Sequence, residues 1–321
     1  FEDVNVEASA LITKTTLADA VAELVTIRDF IRFTVSCLRS ADVHVGHGTE
    51  DHFAEATALI MQSLSLQWSA DAEILDAKLL RSEKQAIVDL IDKRINERTP
   101  LGYLLNLSYF CGHPFYVDER VLIPRSPIAE LIEDRFAQWL ENEPQRILDL
   151  CTGSGCIAIA LAYVYPDAII DAADISLDAL SVAAVNVEHH QVAAENVNLI
   201  ESDLFSKLPN QRYDLIVSNP PYVDAEDMAD LPEEYQREPE LALAAGVDGL
   251  DIVRKMLAEA ADFLTEDGLL VVEVGNSEWA LAQPFPEVEF DWVEFKRGGS
   301  GVFVLTAQQC RFYQQMFREA V

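Results

Sequence analysis

The stretch RILDLCTGSGCIAIALAYVY, residues 146–165, carries three signals in succession. RILDL (146–150) reads as a short buried strand. Thr152, Gly153, Ser154 and Gly155 read as a turn. The apolar run from about Gly155 reads as a helix packed on a sheet, since it falls short of the roughly 18 consecutive apolar residues of a membrane helix. Glycines at 153 and 155 let a ligand approach backbone amides, and the following helix offers its positive N-terminus. A lone Gly-x-Gly also fits a plain tight turn, so the neighbouring strands must decide.

Those strands repeat the unit. AIIDAAD (168–174) reads as a strand followed by a helix over LDALSVAAVNVEHH (177–190). VNLIESD (197–203) and YDLIVSN (213–219) read as strands, a helix near 249–264 precedes the strand GLLVVEVG (268–275), and GVFVLT (301–306) comes last. This alternation implies an α/β fold with a mainly parallel sheet covered on both faces. Ligands of such sheets bind beyond the carboxyl ends of the strands. The second strand ends at Asp174, 21 residues past Gly153, where an acid is placed to accept from ribose hydroxyls. The third ends at Asp203, whose carboxylate would accept from an adenine amine. Each acid alone also fits a surface or capping residue; three successive strand ends together favour a nucleoside site. No GxxxxGK[ST] loop occurs, which argues against a P-loop NTPase.

The fourth strand ends in Asn219-Pro220-Pro221-Tyr222. Pro220 forces Asn219 into an extended conformation, and both prolines have φ fixed and lack an N–H. The result is a stiff turn presenting two acceptors, the Asn219 side-chain oxygen and the Pro220 carbonyl, beside the flat ring of Tyr222. Two acceptors suit a planar NH2 group. An amide nitrogen is a poor nucleophile because its lone pair is delocalised, as the roughly 18–20 kcal/mol barrier to amide rotation attests. Acceptors aimed at both N–H bonds stabilise the more tetrahedral nitrogen that attack requires. An aromatic face also favours a passing methyl on a sulfonium, by about 0.5–2 kcal/mol. A strand end with a proline stop is the bland alternative. A dinucleotide enzyme would explain the glycines but not this turn.

Composition narrows the class. The 321 residues allow two domains, and the formal charge is −32. Residues 1–100 hold 17 acids and 10 bases, and the remainder 38 and 13. Such an excess argues against tight non-specific nucleic-acid binding. Residues 224–240 hold eight acids and one base, Arg237, a rim suited to a basic protein. The five cysteines show no zinc or redox spacing and His189-His190 reads as a solvated helix end, so we expect a reducing cytoplasm and no metal. The chain starts at Phe1, which reads as a missing true N-terminus; its acidic start, FEDVNVEASALITK, lacks the basic region of a signal peptide, and no membrane segment is expected.

Residues 1–98 read as a helical domain. Leu17, Val21, Leu24, Ile31, Val35 and Leu38 suggest one helix, with Thr16 and Asp19 as its cap. A later helix opens at the capping box Ser82-Glu83-Lys84-Gln85 and buries Ile87, Val88, Ile91 and Ile95. Residues 99–123 read as a linking β-hairpin around CGHP, leaving 124–321 as the catalytic domain.

With these motifs in hand, the chain resembles the HemK-type S-adenosylmethionine-dependent methyltransferases, which methylate glutamine side-chain amides. LIPRSPIAELI (122–132), DISLDAL (174–180), REPELALAAGVDGLD (237–251) and VVEVG (271–275) share the likeness, which covers nearly the whole chain. It implies a class I, Rossmann-like fold with a seven-stranded sheet and an antiparallel strand near the C-terminus, for which GVFVLT is the candidate. It implies that Asn219, Pro220, Pro221 and Tyr222 hold the glutamine amide. It implies that Asp149, Cys151, Thr152, Gly153, Gly155, Asp174 with Ile175, Asp203 with Leu204, and Asn219 surround S-adenosylmethionine, with Arg125 nearby. Release-factor enzymes of the family carry PRPETE where this chain has Pro124-Arg125-Ser126-Pro127-Ile128-Ala129-Glu130, which favours the branch acting on large-subunit ribosomal protein three. One departure stands out: Cys151 occupies a position that is glycine in the wider methyltransferase pattern. A catalytic-cysteine reading fails because no base lies beside it in sequence. The remaining rivals are a release-factor methyltransferase, an adenine-amine methyltransferase of nucleic acid, and a non-catalytic assembly factor that keeps a nucleoside pocket.

Overall fold

The computed structural model describes residues 14–49, 51–67, 71–191 and 195–321. The chain divides into a helical unit that ends at Leu107 and includes Pro232–Arg237, and a larger unit of Ser108–Leu231 and Glu238–Val321.

In the helical unit, α1 (Lys14–Glu23) and α2 (Ile27–Ser40) replace the single helix expected there. The break has a local cause. The Thr26 hydroxyl accepts from the Asp29 amide at 3.2 Å, and the Asp29 carboxylate accepts from the Thr26 amide at 2.8 Å. This reciprocal cap satisfies donors that a new helix start would leave orphaned. Thr16 lies inside α1, which begins at Lys14, and not at its start. Next come α3 (His52–Ser63), α4 (Arg81–Asn96) and α5 (Leu101–Leu105). Leu80, not Ser82, stands at the start of α4, and a different pair joins there in place of the expected Ser82–Gln85 box: Glu83 accepts from the Leu80 amide at 2.7 Å. Ile87, Val88, Ile91 and Ile95 are buried, as their spacing implies. Since α5 is helical, the change of composition after residue 98 does not coincide with the start of the hairpin.

Arg94 is fully buried inside this unit. Its Nε donates to Glu55 at 2.6 Å, its Nη2 to the His44 carbonyl at 2.8 Å, and its Nη1 lies 3.5 Å from Glu234. Arg98 also reaches Glu234, at 3.2 Å. Burial alone would raise the Glu234 pKa, but accepted backbone hydrogen bonds and the two guanidinium charges bring it below the ordinary value.

The larger unit opens with a hairpin, β1 (Ser108–Phe110) and β2 (His113–Phe115), turned at Cys111 and Gly112. Then follow α6 (Ile128–Glu133), β3 (Arg146–Leu150), α7 (Cys156–Val164), β4 (Ile169–Asp174), α8 (Leu177–His189), β5 (Val197–Glu201), β6 (Tyr213–Ser218), α9 (Ala225–Asp230), α10 (Asp251–Phe263), β7 (Leu264–Glu273), α11 (Glu278–Ala282), β8 (Asp291–Trp292), β9 (Val302–Thr306) and α12 (Ala307–Glu319). The sheet order is β5-β4-β3-β6-β7-β9-β8. Its first five strands are parallel, and β9 runs antiparallel to β7 and β8. β3 lies at the centre of the five parallel strands and is covered on both faces: Leu148 and Leu150 share a core with residues of α10 and α12, whereas Ile147 shares one with residues of α6 and α7. Leu150 pairs in register with Ala173 and with Ser218, so the carboxyl ends of β3, β4 and β6 reach one edge together.

His190 is buried, contrary to the solvated helix end expected, while His189 is exposed. His190 Nε2 lies 2.7 Å from the Pro114 carbonyl, which can only accept, and its Nδ1 therefore accepts from the Tyr163 hydroxyl at 3.0 Å. Burial lowers its pKa, in keeping with a neutral ring. Among the described residues no helix is long and apolar enough to cross a membrane, and no group of three or more His, Cys, Asp or Glu is placed to hold a metal.

Replacing Arg94 by Leu leaves Glu55 buried without its guanidinium partner and leaves Glu234 with that of Arg98 alone. Arg94→Leu is expected to cost about 3–5 kcal/mol of stability, read from the denaturant midpoint. A loss below about 1 kcal/mol would show that water reaches both acids, as at a surface pair.

Candidate active site

The loop after β3 is shaped by what lies beneath it. Asp149 is fully buried, and its Oδ2 accepts from Thr152 Oγ1 at 2.5 Å and from the Ala158 amide at 3.1 Å. It therefore pins the loop to the first turn of α7. Burial pushes the Asp149 carboxyl up to about 7, against the pull of those two hydrogen bonds. Three residues of the loop take positive φ: Cys151 at +60°, Gly153 at +55° and Gly155 at +79°. The need for glycine differs among them. A Cβ on Gly155 would meet Ala183 Cβ at 3.3 Å, so there the helices pack tightly. A Cβ on Gly153 would meet nothing within 4 Å, so there the backbone faces open space. Cys151 carries its side chain in a conformation that glycine adopts without strain.

Asp174 closes the other side of the loop. Its Oδ2 accepts from the Gly153 amide and its Oδ1 from the Ser176 amide, both at 2.9 Å. Burial raises its pKa, partly offset by these amides. Asn186 on α8 donates to the Ser154 carbonyl at 2.8 Å and exchanges hydrogen bonds with the Tyr116 backbone, tying the loop to the exit of the hairpin.

A cavity opens over this edge. Cys151, Thr152, Gly153, Asp174, Ile175 and Leu204 line one part of it, and Asn219, Pro221 and Arg125 another. Asn219 Oδ1 is buried and, among the described residues, has no hydrogen-bond partner. Several residues singled out from the sequence stand off the wall. Asp149 and Gly155 lie behind the loop that they shape. Asp203 is exposed, and its neighbours Ser202 and Leu204 line the cavity instead. Pro220 is buried and Tyr222 is partly buried; neither is on the wall. The Tyr222 hydroxyl donates to Glu273 Oε1 at 3.0 Å, its carbonyl accepts from Ser277 Oγ at 3.2 Å, and its ring lies against Gly275, where a Cβ would be 2.5 Å from the ring.

Two acids were not read as functional from the sequence. Glu238 has its side chain fully buried and takes Arg125 through two 2.7 Å hydrogen bonds while accepting from the Ile123 amide at 2.9 Å. Glu273 is buried between Ser126 and Tyr222. Glu238 was hidden among surface-like acids; Glu273, a lone acid inside the apolar VVEVG, carried a usable signal. The cysteines offer no nucleophile: all five are free, burial raises the Cys151 thiol, and burial pushes Cys156 up to about 12.

The family model described as methyltransferase small domain matches residues 134–235, which run from the end of α6 past the Asn-Pro-Pro-Tyr turn. The sheet is that of a class I methyltransferase. Similarity then extends over nearly the whole chain. The ribosomal protein uL3 glutamine methyltransferase of Francisella tularensis is 45% identical over 303 residues, covering 94% of this chain and 96% of that protein. The protein of the same name from Neisseria gonorrhoeae is 49% identical over 292 residues, covering 90% and 97%. The chain belongs to the ribosomal protein uL3 glutamine methyltransferase family.

Asp149 yields a prediction whose sign follows from proton binding. Its carboxyl titrates near the ordinary carboxylate value of about 4 when unfolded and at about 7 when folded. The folded state holds the extra proton in that window, so this group's contribution to stability is present at low pH and is lost as pH rises towards 7. Asp149→Asn removes the titration. The variant is expected to gain stability relative to wild type between about pH 5 and about pH 8, compared by paired thermal melts. Parallel curves would contradict it.

Proposed function

We propose that this enzyme transfers a methyl group from S-adenosylmethionine to the side-chain amide nitrogen of a glutamine in ribosomal protein uL3. The observation that carries the reading is Asn219 Oδ1: a buried oxygen with no partner among the described residues, at the end of β6 on the wall of the cavity. A buried acceptor left unpaired costs about 1–3 kcal/mol, a cost removed when a donor arrives. An amide NH2 supplies such a donor. The names and the 45–49% identity of the relatives favour uL3 over a release factor as the target.

The residues present fit the cofactor. The open space over Gly153 leaves backbone accessible to a ligand, and the Asp174 carboxylate retains acceptor capacity for ribose hydroxyls beyond its two amides. Ile175 and Leu204 offer apolar surface for the base, and no contact is assigned to Asp203. Asp149 acts by holding the loop. S-adenosylmethionine, when bound, would supply an electrophilic methyl on a sulfonium, whose sulfur would leave as a neutral thioether as the N–C bond formed, with the amide proton passing to solvent. Asn219 Oδ1 accepts from an amide hydrogen and favours the pyramidal nitrogen, the prolines keep that oxygen aimed, and Pro220 and Tyr222, which stand off the wall, support the turn behind it.

The substrate's basic character has support in the loop after the turn, although less than the count of acids suggested. Glu234 and Glu238 are buried in ion pairs and Glu233 pairs with Arg98, leaving Glu226, Asp227, Asp230 and Glu240 exposed on the larger unit. These four suit a Lys/Arg-rich protein and repel phosphates. Five unpaired cysteines fit a reducing compartment such as the cytoplasm.

Mass spectrometry of uL3, a release factor and duplex DNA after incubation with enzyme and S-adenosylmethionine tests the assignment. One added methyl on a uL3 glutamine is expected; transfer to DNA but not to uL3 would sink it. Asn219→Ala is expected to lower the transfer rate by roughly 10²–10³, the scale for one preorganised polar group. Its affinity for S-adenosylmethionine, by calorimetry, should fall much less. Near-wild-type turnover would contradict the role of Asn219.

A further inference from the structure

We infer that Glu273 is a positioning residue of the transfer site, holding Tyr222 in place from behind while Ser126 holds Glu273. The inference rests on reading the Asn-Pro-Pro-Tyr turn as the place of methyl transfer.

Glu273 is the last residue of β7, the strand beside β6 that ends in the turn. It is 4% exposed, and both of its carboxylate oxygens are in use. Oε1 accepts from the Tyr222 hydroxyl at 3.0 Å, and Oε2 accepts from Ser126 Oγ at 2.5 Å. Ser126 Oγ in turn accepts from the Ile128 amide at 3.1 Å, which fixes the serine to the start of α6. The three side chains form a chain of hydrogen bonds from α6 to the turn.

The ring they hold has little freedom. Gly275 has φ +49°, and a Cβ there would be 2.5 Å from the Tyr222 ring. Gly301 packs as closely behind: a Cβ there would be 2.0 Å from the Gly275 carbonyl. The Tyr222 ring thus rests on bare backbone, its hydroxyl is held by Glu273, and its carbonyl by Ser277.

A carboxylate is an odd choice for mere packing. No guanidinium or ammonium hydrogen-bonds to Glu273 among the described residues; Arg125 acts on it only as a more distant charge, and burial pushes the carboxyl up to about 7. Uncompensated burial of an acid destabilises a protein. What the carboxylate adds is direction. In its ionised form it accepts and never donates, so both hydroxyls must point their protons at it. While Glu273 is ionised, the Tyr222 proton is committed away from the amide, and Tyr222 serves by its fixed place. Misplacing a reacting group by about 1 Å can cost on the order of 10²-fold in rate.

The test compares the full-length wild type with Glu273→Ala, Glu273→Gln, Tyr222→Phe and the double variant Glu273→Ala/Tyr222→Phe. Each is assayed for methyl transfer to uL3, for S-adenosylmethionine affinity, and for hydrogen exchange at the Tyr222 and Val223 amides. Glu273→Ala is expected to lower kcat by about 10–100-fold, with KM for uL3 and cofactor affinity within about threefold. Glu273→Gln, whose amide oxygen still accepts from Tyr222 while its NH2 can donate to Ser126 Oγ, is expected to recover most of that loss. The double variant should be no slower than the worse single variant, since both remove the same hydrogen bond. Exchange at Tyr222 and Val223 should quicken in Glu273→Ala and recover in Glu273→Gln. Wild-type kcat in Glu273→Ala, or losses that add in the double variant, would overturn the inference. If the wild type binds cofactor but transfers nothing to uL3, the functional reading falls instead. Hydrogen exchange then judges the positioning by itself: unchanged exchange in Glu273→Ala overturns it.

Discussion

Asp149 meets Thr152 and the Ala158 amide at the carboxyl end of β3, the middle one of the parallel strands, and the rest of the site is arranged around that junction. Without it, nothing on β3 would hold the loop's positive-φ turns against the start of α7. Once the loop is held, the Gly153 amide is in place to donate to Asp174, and Asn186 is in place to grip the Ser154 carbonyl. The parallel register carries the same alignment to β6, where Ser218 Oγ donates to the Leu150 carbonyl at 2.7 Å, one residue before Asn219. Loop, acid and turn are therefore indexed to one strand end, so their mutual positions are set by sheet geometry and not by loop flexibility.

Burial of acids is the second theme. A chain of formal charge −32 has surface in abundance for carboxylates, yet Glu55, Asp149, Glu234, Glu238 and Glu273 are all buried. Three of them meet arginines. Asp149 and Glu273 do not, and both are raised to about 7 by burial. These two sit directly behind the glycine loop and the proline turn, where a group that only accepts hydrogen bonds imposes orientation on its donors. Perturbed carboxyls tend to gather at functional sites, and here they lie one layer behind the cavity wall.

Much of the larger unit was legible. Alternating apolar strands and helices fixed the sheet because β-strand burial and helix periodicity are local in sequence, and strand-end residues such as Gly153, Asp174 and Asn219 could be placed by the rule that ligands bind at carboxyl ends. The failures were of two kinds. Helix boundaries were misplaced where a reciprocal cap, Thr26 with Asp29, interrupted a continuous apolar period. Partners distant in sequence could not be read at all: Glu273 with Ser126 is a contact over 147 residues, and Glu238 with Arg125 one over 113. At Asp203 strand-end position alone suggested a ligand contact, whereas the adjacent Leu204, at φ +47°, is the residue that lines the cavity.

The division of the chain is not a simple succession. Pro232–Arg237 belongs to the helical unit although the segments on either side of it belong to the other. A fragment beginning at Ser108 would therefore not be a self-sufficient half. It would retain Glu234 while discarding Arg94 and Arg98, and a short piece of backbone just downstream of the Asn-Pro-Pro-Tyr turn would lose the surroundings it was shaped for. Domain dissection in this family is thus better pursued by a circular rearrangement or by co-expression of both pieces than by trimming from one end.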